Sequence, residues 1–271
     1  MQRAFRLLGL QLRRTILWAG LFAMGALVAP TALLAQTDFY NLDHGRPLRV
    51  EDAYTTKRWA FELQASPISL AQDESGAIRY TPSIELKHGL LSGLEVSAGV
   101  AMESVRDGAH SSTGLLEATA AALLNLWVEG PRLPAAAIRL TGRMPGESEE
   151  SASLEVGGIL TRSLVGPVRM HLNGAAIVGQ DREEDWWAGI ALDYVLPFQH
   201  TILLAETWTA SDGSDEQRVH SAAGFRLQLT PTLAMDGGLG RDWSGHGRRD
   251  WITTLGLTYE FGVRALMPGG S

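Results

Sequence analysis

Hydropathy in this 271-residue chain repeats with a period of two, most plainly at Asp250–Phe261. There Trp251, Leu255, Leu257, Tyr259 and Phe261 alternate with Ile252, Thr254, Gly256, Thr258 and Glu260. Side chains two apart share one face of an extended chain, so this stretch reads as a strand with one apolar face. The pattern recurs upstream from Arg58. Leu94, Val96, Ala98, Val100 and Met102 alternate with Glu95, Ser97 and Glu103, and Trp186, Ala188, Ile190, Leu192 and Tyr194 with Gly189 and Asp193. Twelve such segments can be counted. The least regular is Thr201–Thr209, where Glu206 is the only charge.

The connections alternate too. Leu91-Ser-Gly93, Glu129–Pro134, Leu164–Pro167, Pro197–His200 and Thr230-Pro-Thr232 are short. Between them fall mostly longer, polar stretches: Ala71–Gly76, Arg106–Thr113, Gly146–Ser151, Gly179–Glu184, Ser211–Gln217 and Ser244–Arg249. This is the connectivity of an all-β, antiparallel up-and-down barrel of about 12 strands, of the transmembrane outer-membrane type. Its polar faces carry Arg and Glu while the opposite faces stay apolar, the inverse of a soluble barrel. Aromatic residues gather near strand ends, Trp59, Phe61, Tyr194, Tyr259 and Phe261 at the turn side and Trp186, Trp208, Trp243 and Trp251 at the loop side. That placement suits interfacial girdles.

An export signal opens the chain. Arg3, Arg6, Arg13 and Arg14 precede the apolar run Ile16–Val28, and Ala32-Leu-Leu-Ala35 offers small residues for cleavage. The expected organisation is a signal peptide over 1–35, a polar lead segment over 36–56, a barrel over 57–261 and a short periplasmic tail over 262–271. Removing 1–35 takes four arginines and no acid, moving the net charge from −7 to −11. An acidic protein is a poor partner for nucleic acid. The absence of cysteine excludes a disulfide framework and a lipidated N-terminal Cys. An even strand count leaves both termini in the periplasm. The lead segment has no periodicity and reads equally as a linker, a periplasmic lead or an inward-folded plug.

Two resemblances add to this. The ending Gly256, Tyr259, Phe261 resembles the C-terminal assembly signal of bacterial outer-membrane barrels, which implies the barrel-assembly machinery and outer-membrane lipid as partners. Gly45-Arg-Pro-Leu-Arg-Val-Glu-Asp-Ala-Tyr54, Trp59-Ala-Phe-Glu-Leu-Gln64, Ser83-Ile-Glu-Leu-Lys-His-Gly89 and Leu94-Glu-Val96 are similar to the outer-membrane transporter family grouped with the phenol-degradation MetA-pathway proteins. That resemblance covers residues 45–100 and implies a transporter-like barrel without fixing its solute.

The inner face, taken strand by strand, carries Arg79, Glu85, Lys87, Glu95, Glu103, Glu117, Arg139, Arg143, Glu155, Arg169, His171, Asp193, Glu206, Arg226, Asp236 and Glu260. Barrels of about 8 strands are filled by side chains and those of about 16 hold a channel. About twelve strands with interleaved charges predict a narrow lumen partly closed by Arg–carboxylate pairs. Two readings stay open there: a passive channel for small molecules, hydrophobic or aromatic ones among them, and charges that only fill the interior of a structural or surface-interaction barrel. A third reading is an outer-membrane lipid hydrolase built on His110, Ser112 and Glu117, since residues two apart point the same way and a nucleophile needs an oriented base. The acidic connections Asp181, Glu183, Glu184, Asp185 and Asp212, Asp215, Glu216 read as solvated charge and lack Ca²⁺-loop spacing. No metal or cofactor motif is present, so none is expected.

Overall fold

The computed structural model describes residues 40–263 apart from 109, 147–150, 180–183, 198–199, 212–216 and 245–248. The expected signal peptide, residues 36–39 of the lead segment, residues 264–271 of the tail and most of both acidic connections lie outside the described residues. The strands are β1 Ala60–Asp73, β2 Ile78–Tyr80, β3 Ser83–Leu91, β4 Leu94–Asp107, β5 His110–Trp127, β6 Ala135–Pro145 and β7 Ser153–Ser163. Then come β8 Val168–Gly179, β9 Trp186–Leu196, β10 Thr201–Ser211, β11 Arg218–Thr230, β12 Leu233–Ser244 and β13 Arg249–Gly262. Apart from β2 and β3, neighbours in sequence pair antiparallel, and β13 pairs back to β1 from Ala60↔Gly262 to Asp73↔Arg249, which closes the barrel.

The wall has twelve staves, as the alternation implies, although the described strands number thirteen. β2 and β3 are one stave interrupted at Thr81-Pro82, and both pair with β1 and β4. Pro82 has no N–H to give a ladder, so the stave breaks there. Its carbonyl still accepts from Met102 N (2.9 Å). Beside it the β1–β13 register shifts between Ala65 and Ile68, across Pro67.

Several boundaries differ from the sequence reading, three of them as follows. Arg106–Thr113 is not a loop: β4 and β5 run on until Asp107 pairs with His110. β1 runs through Ala71 to Asp73, so the first half of the stretch Ala71–Gly76 is strand. Gly262, expected in the tail, is the last residue of β13 and pairs with Ala60. In each case the ladder continues because its partner strand continues, a property of the pair that one strand's hydropathy does not report.

The outer face is apolar and exposed along the staves, with Val100, Leu140, Val156, Ile190, Leu203 and Leu239 among its residues. This is the exterior of a barrel suited to hydrocarbon. Trp186, Trp243 and Trp251 stand exposed at the loop end. Phe61, Phe261 and Tyr259 stack at the turn end, with centroids 5.5 and 5.8 Å apart. Trp208 departs from the expected girdle: it points inward and is buried. Trp59 lies just before β1 with φ +69°, under the Arg58 guanidinium.

The apolar core sits inside the barrel, between the wall and the stretch 40–58. Leu42, Leu48 and Val50 pack with Trp187, Ala191, Ile202, Leu204 and Trp208, and Ala53 packs with Leu123, Ala135, Ala137 and Ile159. This explains the irregular hydropathy of β10. Its inner face carries Ile202, Leu204 and Trp208 to meet the lumen segment, so both of its faces are apolar.

Candidate functional site

The lumen is occupied by residues 40–58, and the inner wall is built around them. The segment's backbone joins the wall through side chains, with few ladder bonds. Glu206 accepts the N–H groups of Arg49 (2.9 Å) and Val50 (2.9 Å). Asn173 pairs with both backbone groups of Glu51, each at 2.9 Å. Thr161 Oγ1 accepts from Ala53 N (2.9 Å), and Asn125 donates to Ala53 O (2.6 Å). Glu95 accepts from both the N–H and the hydroxyl of Thr56, each at 2.8 Å. A backbone buried in a lumen needs its polar groups satisfied, and a ring of polar side chains does what a neighbouring strand does elsewhere.

The segment's charged side chains complete the wall's charges. Asp43 accepts from Lys87 Nζ (2.8 Å) and from Arg226. Arg46 donates to Ala65 O (2.8 Å), beside the β1 bulge, and lies 3.8 Å from Asp236. Glu51 receives Arg139 at 2.8 Å. Asp52 closes the segment on itself by accepting from Leu42 N (3.1 Å), with Arg169 3.7 Å away. Close approach dictates two wall glycines. A Cβ at Gly256 would lie 2.5 Å from Asp236 Oδ1 and against the Arg46 guanidinium, and one at Gly189 would lie 2.8 Å from Val50 Cγ2. Gly256, read from the sequence as part of an assembly signal, thus also makes room for Arg46.

Most of the residues read as lumen-lining fall into three groups, with Glu85 and Glu260 apart from them. Lys87, Glu95, Arg139, Glu206 and Arg226 are buried and bind the segment directly. Arg169 contacts it and also holds Asp193 (2.6 Å), which accepts from His171 (3.0 Å). Arg79–Glu103, Arg143–Glu155 (2.8 Å) and Arg143–Glu117 (3.6 Å) pair within the wall toward the loop end. Glu85 lies 3.8 Å from Arg139. Glu260 is buried at the turn end. Tyr259 and Phe261 belong to the outer stack.

Thr161, His171 and Asp193 form a relay with triad-like spacing: Oγ1 to Nδ1 is 3.0 Å and Nε2 to Oδ2 is 3.0 Å. The relay is sealed, with Thr161 and His171 at 0% exposure, and Ala53 N already occupies Oγ1. It is a docking post. His110 and Ser112, by contrast, stand exposed on the long β4–β5 hairpin, while Glu117 turns to Arg143. The three residues of the hydrolase reading are not assembled into a relay.

Other wall residues were not legible as site residues. Asn125, Thr161 and Asn173 are uncharged and so carry no signal beyond their inward parity. Trp187 follows Trp186, and parity alone shows that one of the two faces in. Glu184 reads from the sequence as solvated loop charge. Instead it turns inward and pairs with Arg49 (2.6 Å) and Arg218 (3.4 Å).

Within the segment, burial sets the titration. It pushes Glu51 up to about 7 despite Arg139, and Asp52 up to about 6 despite Arg169. His44 is pushed down to about 3 by burial and by Arg139. Burial also acts to raise Asp43, but Lys87, Arg226 and Arg46 outweigh it and hold this carboxyl well below the usual range. Beyond the segment, on the loop side, lies a cavity of about 450 Å³ lined by residues including Arg79, Glu117, Arg143, Glu184, Trp208 and His220, with Arg49 and Leu48 of the segment.

No family model matches the chain, and no curated protein matches it. Solved structures with the same fold do. The COG4313 outer membrane channel from Pseudomonas putida F1 superposes with a TM-score of 0.60 at 15% identity, covering 82% of this chain and all of that one. The KdgM porin gives 0.53 at 7% identity, covering 74% and 98%, and its complex with disordered oligogalacturonate gives 0.50 at 8%, also covering 74% and 98%. At these identities the likeness establishes the fold: a closed twelve-stranded antiparallel barrel of the kind seen in porins and outer-membrane channels.

Proposed function

We propose that the protein is an outer-membrane channel that passes small solutes, hydrophobic or aromatic ones among them, by diffusion through a narrow charged lumen. The carrying observation is a cavity lined by charged and apolar side chains, inside a barrel with an apolar exterior, whose floor is a segment tied down mainly by side chains. Such a segment can shift or withdraw without opening the wall's ladders. Buried atoms support a wet path beside it. Both Asp236 oxygens and Arg226 Nη2 have no hydrogen-bond partner among the described residues, and such groups call for water. The resemblance of residues 45–100 to the MetA-pathway transporter group supports a transporter-like barrel. In this reading the short turns and both chain termini are periplasmic, and the Gly256–Phe261 ending meets the assembly machinery. Liposomes holding the purified mature protein should leak small solutes across a panel of sizes and polarities. Absence of flux for every solute, with and without the lumen segment, would sink the channel reading.

The proposal carries a pH dependence. Glu51 and Asp52 have raised pKa values when docked, so the docked segment holds protons that the free segment has lost between about pH 4 and 7. Docking therefore weakens as pH rises through that window. His44 acts oppositely: its depressed value means the free segment takes up a proton below about 6.5. Two carboxyls outweigh one imidazole, so docking is tighter at pH 5.5 than at pH 8. Conductance should be several-fold higher at pH 8, and Glu51→Gln should flatten the profile. A profile falling with pH would contradict this assignment.

A further inference from the structure

The Arg49 guanidinium lies between the indole rings of Trp187 and Trp208, 4.3 and 4.7 Å from their centroids. Its two terminal nitrogens grip the Glu184 carboxylate at 3.2 and 2.6 Å, a bidentate fork. Arg218 Nη1 reaches the same Oε1 at 3.4 Å. One carboxylate is thus shared by two guanidinium groups at the edge of the loop-side cavity. Beside it, Trp208 stacks on His220 with centroids 4.8 Å apart and planes 19° apart, and both rings line the cavity. Glu184 comes from the connection between β8 and β9, a different part of the chain from either arginine.

We propose that the Arg49–Arg218 pair is a recognition site for the carboxylate of a small solute with a flat apolar body, and that Glu184 is its built-in competitor. A planar carboxylate presents the same two oxygens as Glu184 and accepts the same charge-assisted bonds. The exchange conserves hydrogen bonds at the fork and returns Glu184 to the water of the cavity mouth. The body of an aromatic acid then lies in the cavity against the small parts of Trp208 and His220 that line it, where apolar contact favours it over a short-chain acid. A neutral aromatic finds the same contact but leaves the fork to Glu184. The chemical class is therefore aromatic or similarly flat apolar monocarboxylates. This rests on the channel reading only in calling that molecule the cargo.

Calorimetric titration of the full mature protein in detergent tests it, with benzoate as probe and benzyl alcohol and acetate as controls. Benzoate should bind saturably, with both controls at least about tenfold weaker. Glu184→Gln keeps the side chain's shape and removes the competing charge, so it should tighten benzoate about tenfold, whereas Arg218→Gln should weaken it about tenfold. Equal binding of benzoate and benzyl alcohol would overturn the site. So would a Glu184→Gln protein, still folded by circular dichroism, that binds benzoate no more tightly than the parent. No flux is measured here, so a protein that binds in this way but passes no solute refutes the channel reading and leaves the site standing.

Discussion

Deleting residues 36–56 from the mature protein should raise its single-channel conductance at least about tenfold, since a twelve-stranded barrel without internal filling approaches the size range that holds an aqueous passage. In the intact protein the segment's apolar residues fill the space beside β9 and β10, and its backbone lies against Asn125, Thr161, Asn173 and Glu206. Without it those side chains face water, which hydrates them, and the wall keeps every inter-strand ladder. Planar-bilayer recording of both forms measures the effect, and heat-modifiable migration in gels confirms that the barrel has formed. Equal conductance in a folded deletion protein would show that the deleted segment does not set the constriction.

The second large effect belongs to Asp43. It is the segment's carboxylate for two buried cations, Lys87 and Arg226, of which Arg226 is fully buried. Asp43→Ala takes that carboxylate from both, leaving Lys87 only Glu95 at 3.9 Å and leaving the Arg226 charge in a desolvated setting. Breaking a buried ion pair from one side costs about 3–5 kcal/mol, because the remaining charge keeps its desolvation penalty. Most of that cost falls on docking, since the undocked lumen can admit water to Lys87 and Arg226. The chain has no cysteine, so Ala53→Cys gives a single reporter at a position with 0% exposure. Its maleimide labelling should accelerate about a hundredfold or more in the Asp43→Ala background. Unchanged labelling would mean that the segment is held without this bridge.

The parts of the site differ in how far they could be read from residues alone. Strand parity along β6 puts Arg139 and Arg143 on one face, and the structure has both pointing inward. Parity does not say what Arg139 meets. Its closest partner, Glu51, is 88 residues away in a stretch with no periodicity at all. Likewise β10 looked like the weakest strand because its inner face is apolar, and it is apolar only because Leu48 and Val50 press on it. Trp208 reads as outward because aromatic residues at strand ends usually face lipid, and the docked Arg49 explains why it does not.

Sequence by itself determined the closed up-and-down barrel, its twelve staves and its polar interior. Those follow from local rules: side chains alternate across an extended chain, and a membrane-type wall needs one apolar face and no free edge. Tertiary structure decided what fills the barrel. The contacts of residues 40–58 join parts of the chain up to about two hundred residues apart, as Arg46 with Leu257 and Thr258 shows. Such contacts have no period, and only shape, desolvation and the pairing of buried charge select them.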